Sequence, residues 1–370
     1  MQKKIIALAV AGLVSGGAFA QSSVTISGLF DVGYQNFKTQ AGSLDTTVQH
    51  IGSSSNAGTT NVTFKAEEAL GGGMKVGVLL ETDPAAGTST GGAFMNSQNY
   101  LWLSGNFGNL KLGFFNNQPT TVAAAVSQPF GTGLGGGYNG AFGRLDGYNV
   151  IGVPAAVAGV ADAASVTDVA THGGAGARDI RINNAMEYTT PTFSGFNANF
   201  LLKTQNSNGT AASNDGQTGL GLNYGNGPVK LAYAFSQLNG VIGGTIANQL
   251  THNLLGGNFT FGPVTVYGGW TSSKSTLNAV AGTAGNVDSR SWNLALKWQA
   301  TPNLWLGANV LRVDDKLTGN QDRDLNALGA NYSMSKRTTA YVRYENGDND
   351  KANSVSGNFT RLGAGLMHTF

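Results

Sequence analysis

The residues that could do covalent chemistry in this sequence are few, and their spacing does not assemble them. There is no cysteine, which excludes disulfides, thiolate metal sites and a cysteine nucleophile. The histidines, His50, His172, His252 and His368, lie far apart and show no metal-ligand spacing. Glu67-Glu68 has the look of an acid–base pair, but neighbours on a strand point to opposite faces and cannot share a site. Gly131-x-Gly133-x-x-Gly136 has the form of a dinucleotide fingerprint without the flanking strand, following helix and acidic residue that make a phosphate site. No catalytic constellation emerges, and no cofactor or metal is expected.

Charged residues that could shape an electric field are better placed. Lys111, Arg181, Lys203, Lys230, Lys297, Arg343, Glu345 and Arg361 fall, by parity, opposite the large apolar residues of alternating segments. Charges on the wet face of such a wall carry out no reaction. They replace part of an ion's hydration, and their field selects which ions enter.

The elements that would hold these charges are strands. Val229-Lys230-Leu231-Ala232-Tyr233-Ala234-Phe235 and Trp292-Asn293-Leu294-Ala295-Leu296-Lys297-Trp298 alternate apolar with polar or small residues, giving one greasy and one wet face. Such segments are expected near 23–34, 60–69, 74–82, 98–105, 110–116, 181–190, 195–204, 217–224, 229–238, 249–261, 264–273, 288–299, 304–314, 322–333, 338–346 and 358–370. Very short turns join them in pairs, such as Leu70-Gly71-Gly72-Gly73, Asn106-Phe107-Gly108-Asn109, Gly225-Asn226-Gly227-Pro228 and Thr301-Pro302-Asn303, and longer polar stretches separate the pairs. Short turns at one end and long loops at the other is the plan of a bacterial outer-membrane barrel. Trp270, Trp298, Tyr344 and Phe370 sit at segment ends, as an interfacial girdle requires. The fold class expected is all-β: a sixteen-stranded antiparallel transmembrane β-barrel around an aqueous channel.

Composition agrees. Only 11% of residues are charged, against about 25% in soluble domains, so much of the surface need not face water. The 55 glycines suit many tight turns. Residues 1–20 read as a signal peptide, with Lys3-Lys4, the apolar run Ile5 to Val14 and the Ala18-Phe19-Ala20 cleavage site. Its removal leaves a single domain, 21–370, with basic and acidic residues in balance, which argues against a nucleic-acid partner. The apolar run is too short to span a membrane as a helix, and no later stretch approaches one, so a membrane form must be a closed barrel.

One gap breaks the rhythm. About 118–179 holds no convincing strand and reads as a structureless loop rich in Gly, Ala and Val. Loops this long are normally functional or disordered; here the expectation is a third loop folded into the lumen to narrow it, the alternative being an external loop.

Taken in order, several motifs resemble the Gram-negative general porins, most closely the beta-proteobacterial branch. They are Ser23-Val24-Thr25-Ile26-Ser27-Gly28 with Asp31; Phe64-Lys65, Glu68 and Leu70-Gly71-Gly72-Gly73-Met74-Lys75; Leu110-Lys111-Leu112-Gly113; Arg181-Ile182-Asn183-Asn184 with Tyr188, Pro191 and Gly195-Phe196; and Gly365-Leu366-Met367-His368-Thr369-Phe370. The resemblance implies a homotrimer in the outer membrane, surrounded by lipid and lipopolysaccharide and passing small hydrophilic solutes and ions. It implies basic wall residues facing acidic residues of the third loop, and a terminal Phe370 that serves barrel assembly. Arg181 stands at a matching position with Arg178 close by, and Arg144 and Asp146 lie in the loop. Asn61 and Phe114 stand where the family usually has arginines, so the basic wall is thinned. The readings carried forward are a general diffusion pore, a substrate-selective channel, and an adhesin or receptor using external loops.

Overall fold

The computed structural model describes residues 22–370 apart from 42–43, 53–56, 85–94, 132–133, 135, 137–180, 205–213, 243–244, 278–287, 317–321 and 350–356. The expected signal peptide, and with it the domain boundary at 20, lies outside the described residues, as do most of the third loop and Arg144, Asp146, His172 and Arg178.

The strands are β1 (Ser23–Ala41), β2 (Leu44–Gly52), β3 (Asn61–Gly71), β4 (Met74–Thr82), β5 (Asn99–Gly105), β6 (Gly108–Asn116), β7 (Arg181–Thr189), β8 (Phe196–Lys203), β9 (Asn214–Asn226), β10 (Val229–Ile242), β11 (Thr245–Phe261), β12 (Val264–Leu277), β13 (Asp288–Thr301), β14 (Leu304–Asp315), β15 (Arg323–Ser333), β16 (Thr338–Asn349) and β17 (Gly357–Thr369). Each pairs antiparallel with its neighbours, and β17 closes on β1 through Leu29↔Thr369 to Ala41↔Gly357. Closure leaves no unpaired edge, which is what allows a sheet to cross a bilayer.

Sixteen staves are expected from the sequence, and sixteen are found, although the sheet has 17 strands. The difference is β2, which the sequence reading omits. β2 pairs with one end of β1 (Gly33↔Gly52 onward) and β3 with the other (Leu29↔Asn61 onward), so the two are one stave interrupted by residues 53–60. The second correction concerns the third loop, which opens with a helix, α1 (Gln118–Val126). Asn117 caps it, its side chain accepting from the Thr120 N–H, and Pro119 stands in the first turn where its missing N–H costs nothing.

Alternation decides the two faces. On β13, Trp292, Leu294, Leu296 and Trp298 are exposed, while Ser291, Asn293 and Ala295 are buried on the opposite face. Trp292 and Trp298 bracket the two leucines over roughly 20 Å of strand at about 3.4 Å per residue, a stretch that lies within the height of a lipid-facing band. Trp270, Tyr344, Leu255, Leu328, Val342, Leu362 and Leu366 are exposed on the same outer surface. Exposed apolar side chains in this number cannot face water; they face hydrocarbon.

The short turns gather at one end of the barrel, at Gly72–Gly73, Asn106–Phe107, Gly227–Pro228, Gly262–Pro263, Pro302–Asn303 and residues 334–337. Gly227 and Gly262 adopt φ of 54° and 55° immediately before a proline, the sign pattern of a type II′ hairpin turn. Many wall glycines have a different cause: a neighbouring side chain covers them. A Cβ on Gly77 would meet Trp102 and one on Gly347 would meet Phe359, at 2.6 Å and 2.2 Å.

Phe370 completes the seam. Its N–H donates to Gly28 O and its carbonyl accepts from Gly28 N, each at 3.1 Å, and its ring lies over Gly28. Deleting Phe370 removes both bonds and the ring at the closing edge. The expected result is a loss of properly assembled barrel of tenfold or more, about 1.4 kcal/mol or greater, read as the heat-modifiable band on a gel. Unchanged assembly would contradict a role for this residue in closure.

Candidate pore lining and constriction

The described start of the third loop lies on the polar, inward face of the barrel. Asn258 Nδ2 on β11 donates to Val126 O at 2.9 Å, and Asn293 Nδ2 on β13 donates to Ser127 O at 2.7 Å. The wall is hollowed to receive the chain. A Cβ on Gly221 would stand 3.0 Å from Pro119 Cα, and one on Gly256 would stand 2.2 Å from Ala123 O. Further on, the Phe130 ring fills the space above Gly307 and Gly329 and is 1% exposed, against Trp305, in the same buried cluster as Leu311, Leu325 and Ala327. Residues 117–131 therefore run along the inside from β8 toward β16.

Two charged side chains fasten this run. At its start, Glu187 on β7 is fully buried and accepts the Gln118 N–H at 3.0 Å with one oxygen and Lys111 Nζ at 3.2 Å with the other. A carboxylate at a helix N-terminus meets the positive end of the helix dipole and an orphan N–H together. At the far end, Arg343 on β16 donates to Phe130 O at 3.0 Å and Leu134 O at 3.2 Å, with its guanidinium over the Phe130 ring.

Asp31 on β1 forms a third buried centre. It accepts from Tyr341 OH at 2.6 Å and from the N–H groups of Ala57 and Gly58 at 2.8 and 3.0 Å. Residues 57–60, the end of the interruption between β2 and β3, are thereby held on the inner wall near Leu29 and Met367.

The sequence candidates are distributed as follows. Lys111, Arg343, Glu345 and Arg361 lie on the inward face. Arg361 pairs with Glu345 at 3.3 Å and stacks on Phe37, and Arg181 pairs with Asp83 at 2.7 Å. Arg343 was expected as a charge facing the solute path; it is 3% exposed and sits beneath the loop, because parity gives a residue's face and not what covers it. Lys297 lies over Trp305 and Lys230 is exposed at the turn end. Among the described residues the histidines do not converge: His252 is buried beside Ser273, and His368 meets Thr338 on the outside. Glu67 faces inward between Lys65 and Lys75, and Glu68 faces out. Sequence reasoning missed Glu187, Asp83 and Phe130. Of these, only Glu187 carried a signal, as an acidic residue of inward parity opposite Lys111.

The chain matches the Gram-negative porin family over residues 7–352. It is 29% identical over 349 residues to outer membrane porin protein 32 of Delftia acidovorans, covering 92% of this chain and 88% of that protein. It is 24% identical over 420 residues to an outer membrane porin protein of Bordetella pertussis, with both chains covered in full. The anion-selective porin from Comamonas acidovorans has the same fold, with a TM-score of 0.73, 23% identity and coverage of 95% of this chain and 100% of that one. With a closed barrel, a lipid-facing outer surface and a polar interior already in place, the match fixes the assignment: this chain belongs to the Gram-negative porins, channel-forming proteins of the outer membrane.

Proposed function

We propose that this porin passes small hydrophilic solutes and ions by passive diffusion, that it works as a homotrimer in lipid and lipopolysaccharide, and that its third loop narrows the lumen. The observation that carries the reading is the fastening of the loop's start to the inner wall by Glu187, Asn258, Asn293 and Arg343. A segment fastened there takes up cross-section that solutes would otherwise use. Charge discrimination at the narrowing is weak in this reading, because Arg181, Arg361 and Lys111 each have an acidic partner.

Purified protein in a planar bilayer tests the proposal. Stepwise conductance without saturation by solute is expected, and its absence would refute diffusion. Gel migration as a dissociable trimer is expected; a monomer that conducts would remove the trimer from the reading. Arg181→Ala leaves Asp83 without its partner, so the reversal potential in a salt gradient should move toward cations, by roughly twofold in permeability ratio for one uncompensated charge near the path. An unchanged reversal potential would place this pair away from the ion path.

A further inference from the structure

Among the described residues, inward-facing charges are not spread evenly along the axis. Toward the loop end, Asp83 offsets Arg181 and Glu345 offsets Arg361, while Asp31 and Glu81 are inward carboxylates held by hydrogen bonds. Toward the turn end the balance changes. Glu187 is taken up by Lys111 and the start of α1. Glu67 is shared by two lysines, Lys65 at 2.8 Å and Lys75 at 2.7 Å, so this group keeps one positive charge. Lys230, directly after the Gly227–Pro228 turn, and Lys297 have no ion pair among the described residues. Glu68 points outward. Lys336 and Arg337 add two exposed cations in the turn that precedes β16.

We infer that the charge preference of this pore resides in its periplasmic vestibule, where Lys230, Lys297 and the Lys65–Glu67–Lys75 group attract small anions. The inference rests on the diffusion reading above. Short turns mark the periplasmic end of such barrels. The exposed Lys230 and the half-buried Lys297 over Trp305 are single cations without a bidentate site, so they raise the local concentration of any small anion and do not select among anions. A low-dielectric wall around an aqueous mouth strengthens the effect. The selecting field then lies on the periplasmic side of the seated loop run, since Lys230 stands opposite Asn258, which holds Val126 O, and Lys297 lies over Trp305, which packs on Phe130.

The test is the reversal potential of single channels in a potassium chloride gradient, for the full-length barrel and for Lys230→Gln/Lys297→Gln. The expected wild-type preference is for chloride. The double substitution should lower the chloride-to-potassium permeability ratio by about twofold per lysine in dilute salt, with the difference fading near 1 M as the screening length falls to about 3 Å. Lys230→Arg/Lys297→Arg should retain the preference. Lys274→Gln, which alters an exposed cation on the outer surface, should leave the ratio unchanged. An unaltered ratio in the glutamine variant, or a wild-type pore that prefers potassium, would overturn the inference while leaving diffusion standing. No conductance from correctly folded wild-type protein would overturn both.

Discussion

A porin carrying Arg343→Ala with Phe130→Ala conducts more than the wild type and flickers, because the third loop no longer holds its seat. Phe130 is buried against Trp305 above Gly307 and Gly329. Truncating such a phenylalanine costs about 3–5 kcal/mol. Arg343 adds two charge-assisted bonds to the Phe130 and Leu134 carbonyls, each worth about 1.5–3 kcal/mol. Because every 1.4 kcal/mol is about tenfold in population, the combined loss is large enough to make the detached loop the dominant form. The strand pairing of β14, β15 and β16 does not depend on either side chain, so the barrel itself should fold. Single-channel recording decides the matter. Steps of wild-type size and steadiness would mean that the loop does not limit the flow.

The second large effect is expected in stability. Glu187→Leu removes the partner of Lys111 and the acceptor of the Gln118 N–H in one step. Lys111 is itself nearly buried, with 14% of its side chain exposed. Breaking a buried pair from one side typically costs about 3–5 kcal/mol, whereas replacing both partners by apolar residues of similar size is often neutral. The single substitution should therefore lower the urea midpoint of the detergent-refolded barrel markedly, and Lys111→Met/Glu187→Leu should recover most of the loss. If the double variant is as unstable as the single, the stabilisation comes from the helix N-terminus and not from the pair.

These outcomes also mark what the sequence could and could not reveal. Strand parity was legible because a barrel wall separates lipid from water at every residue, so Trp292, Leu294 and Leu296 declare their face with no tertiary information. The turns were legible because Gly227 and Gly262 need positive φ. α1 was not, although Asn117-Gln118-Pro119 is a recognisable helix start. Its residues, Gln-Pro-Thr-Thr-Val-Ala-Ala-Ala-Val, show no amphipathic contrast, because what it packs on is a bed of Gly221, Ala232, Ala234 and Gly256 supplied by three distant strands. β2 was missed because Gly52, followed by a serine run, reads as a loop boundary, and nothing local says that the chain rejoins the same stave at Asn61. Arg343 was placed on the inward face, but its acceptors were not legible, since a carbonyl such as Leu134 O leaves no trace in side-chain spacing. What stayed hidden are long-range contacts made through backbone atoms and small residues.

The interrupted stave has a consequence for how such a channel can change. Three residues of β1, Phe30 to Val32, face a partner that supplies eight between Gly52 and Asn61, yet the register resumes on both sides. Residues 57, 58 and 60 are bonded to Asp31 on the inner wall while strand pairing continues on both sides. Channel calibre is usually thought to be adjusted from the outer rim, by lengthening or shortening loops there. Here the frame itself has room for indels part-way down, anchored by one aspartate. Evolution or protein engineering could resize the bore at that depth while leaving the exterior contour, and so the fit to the bilayer, untouched.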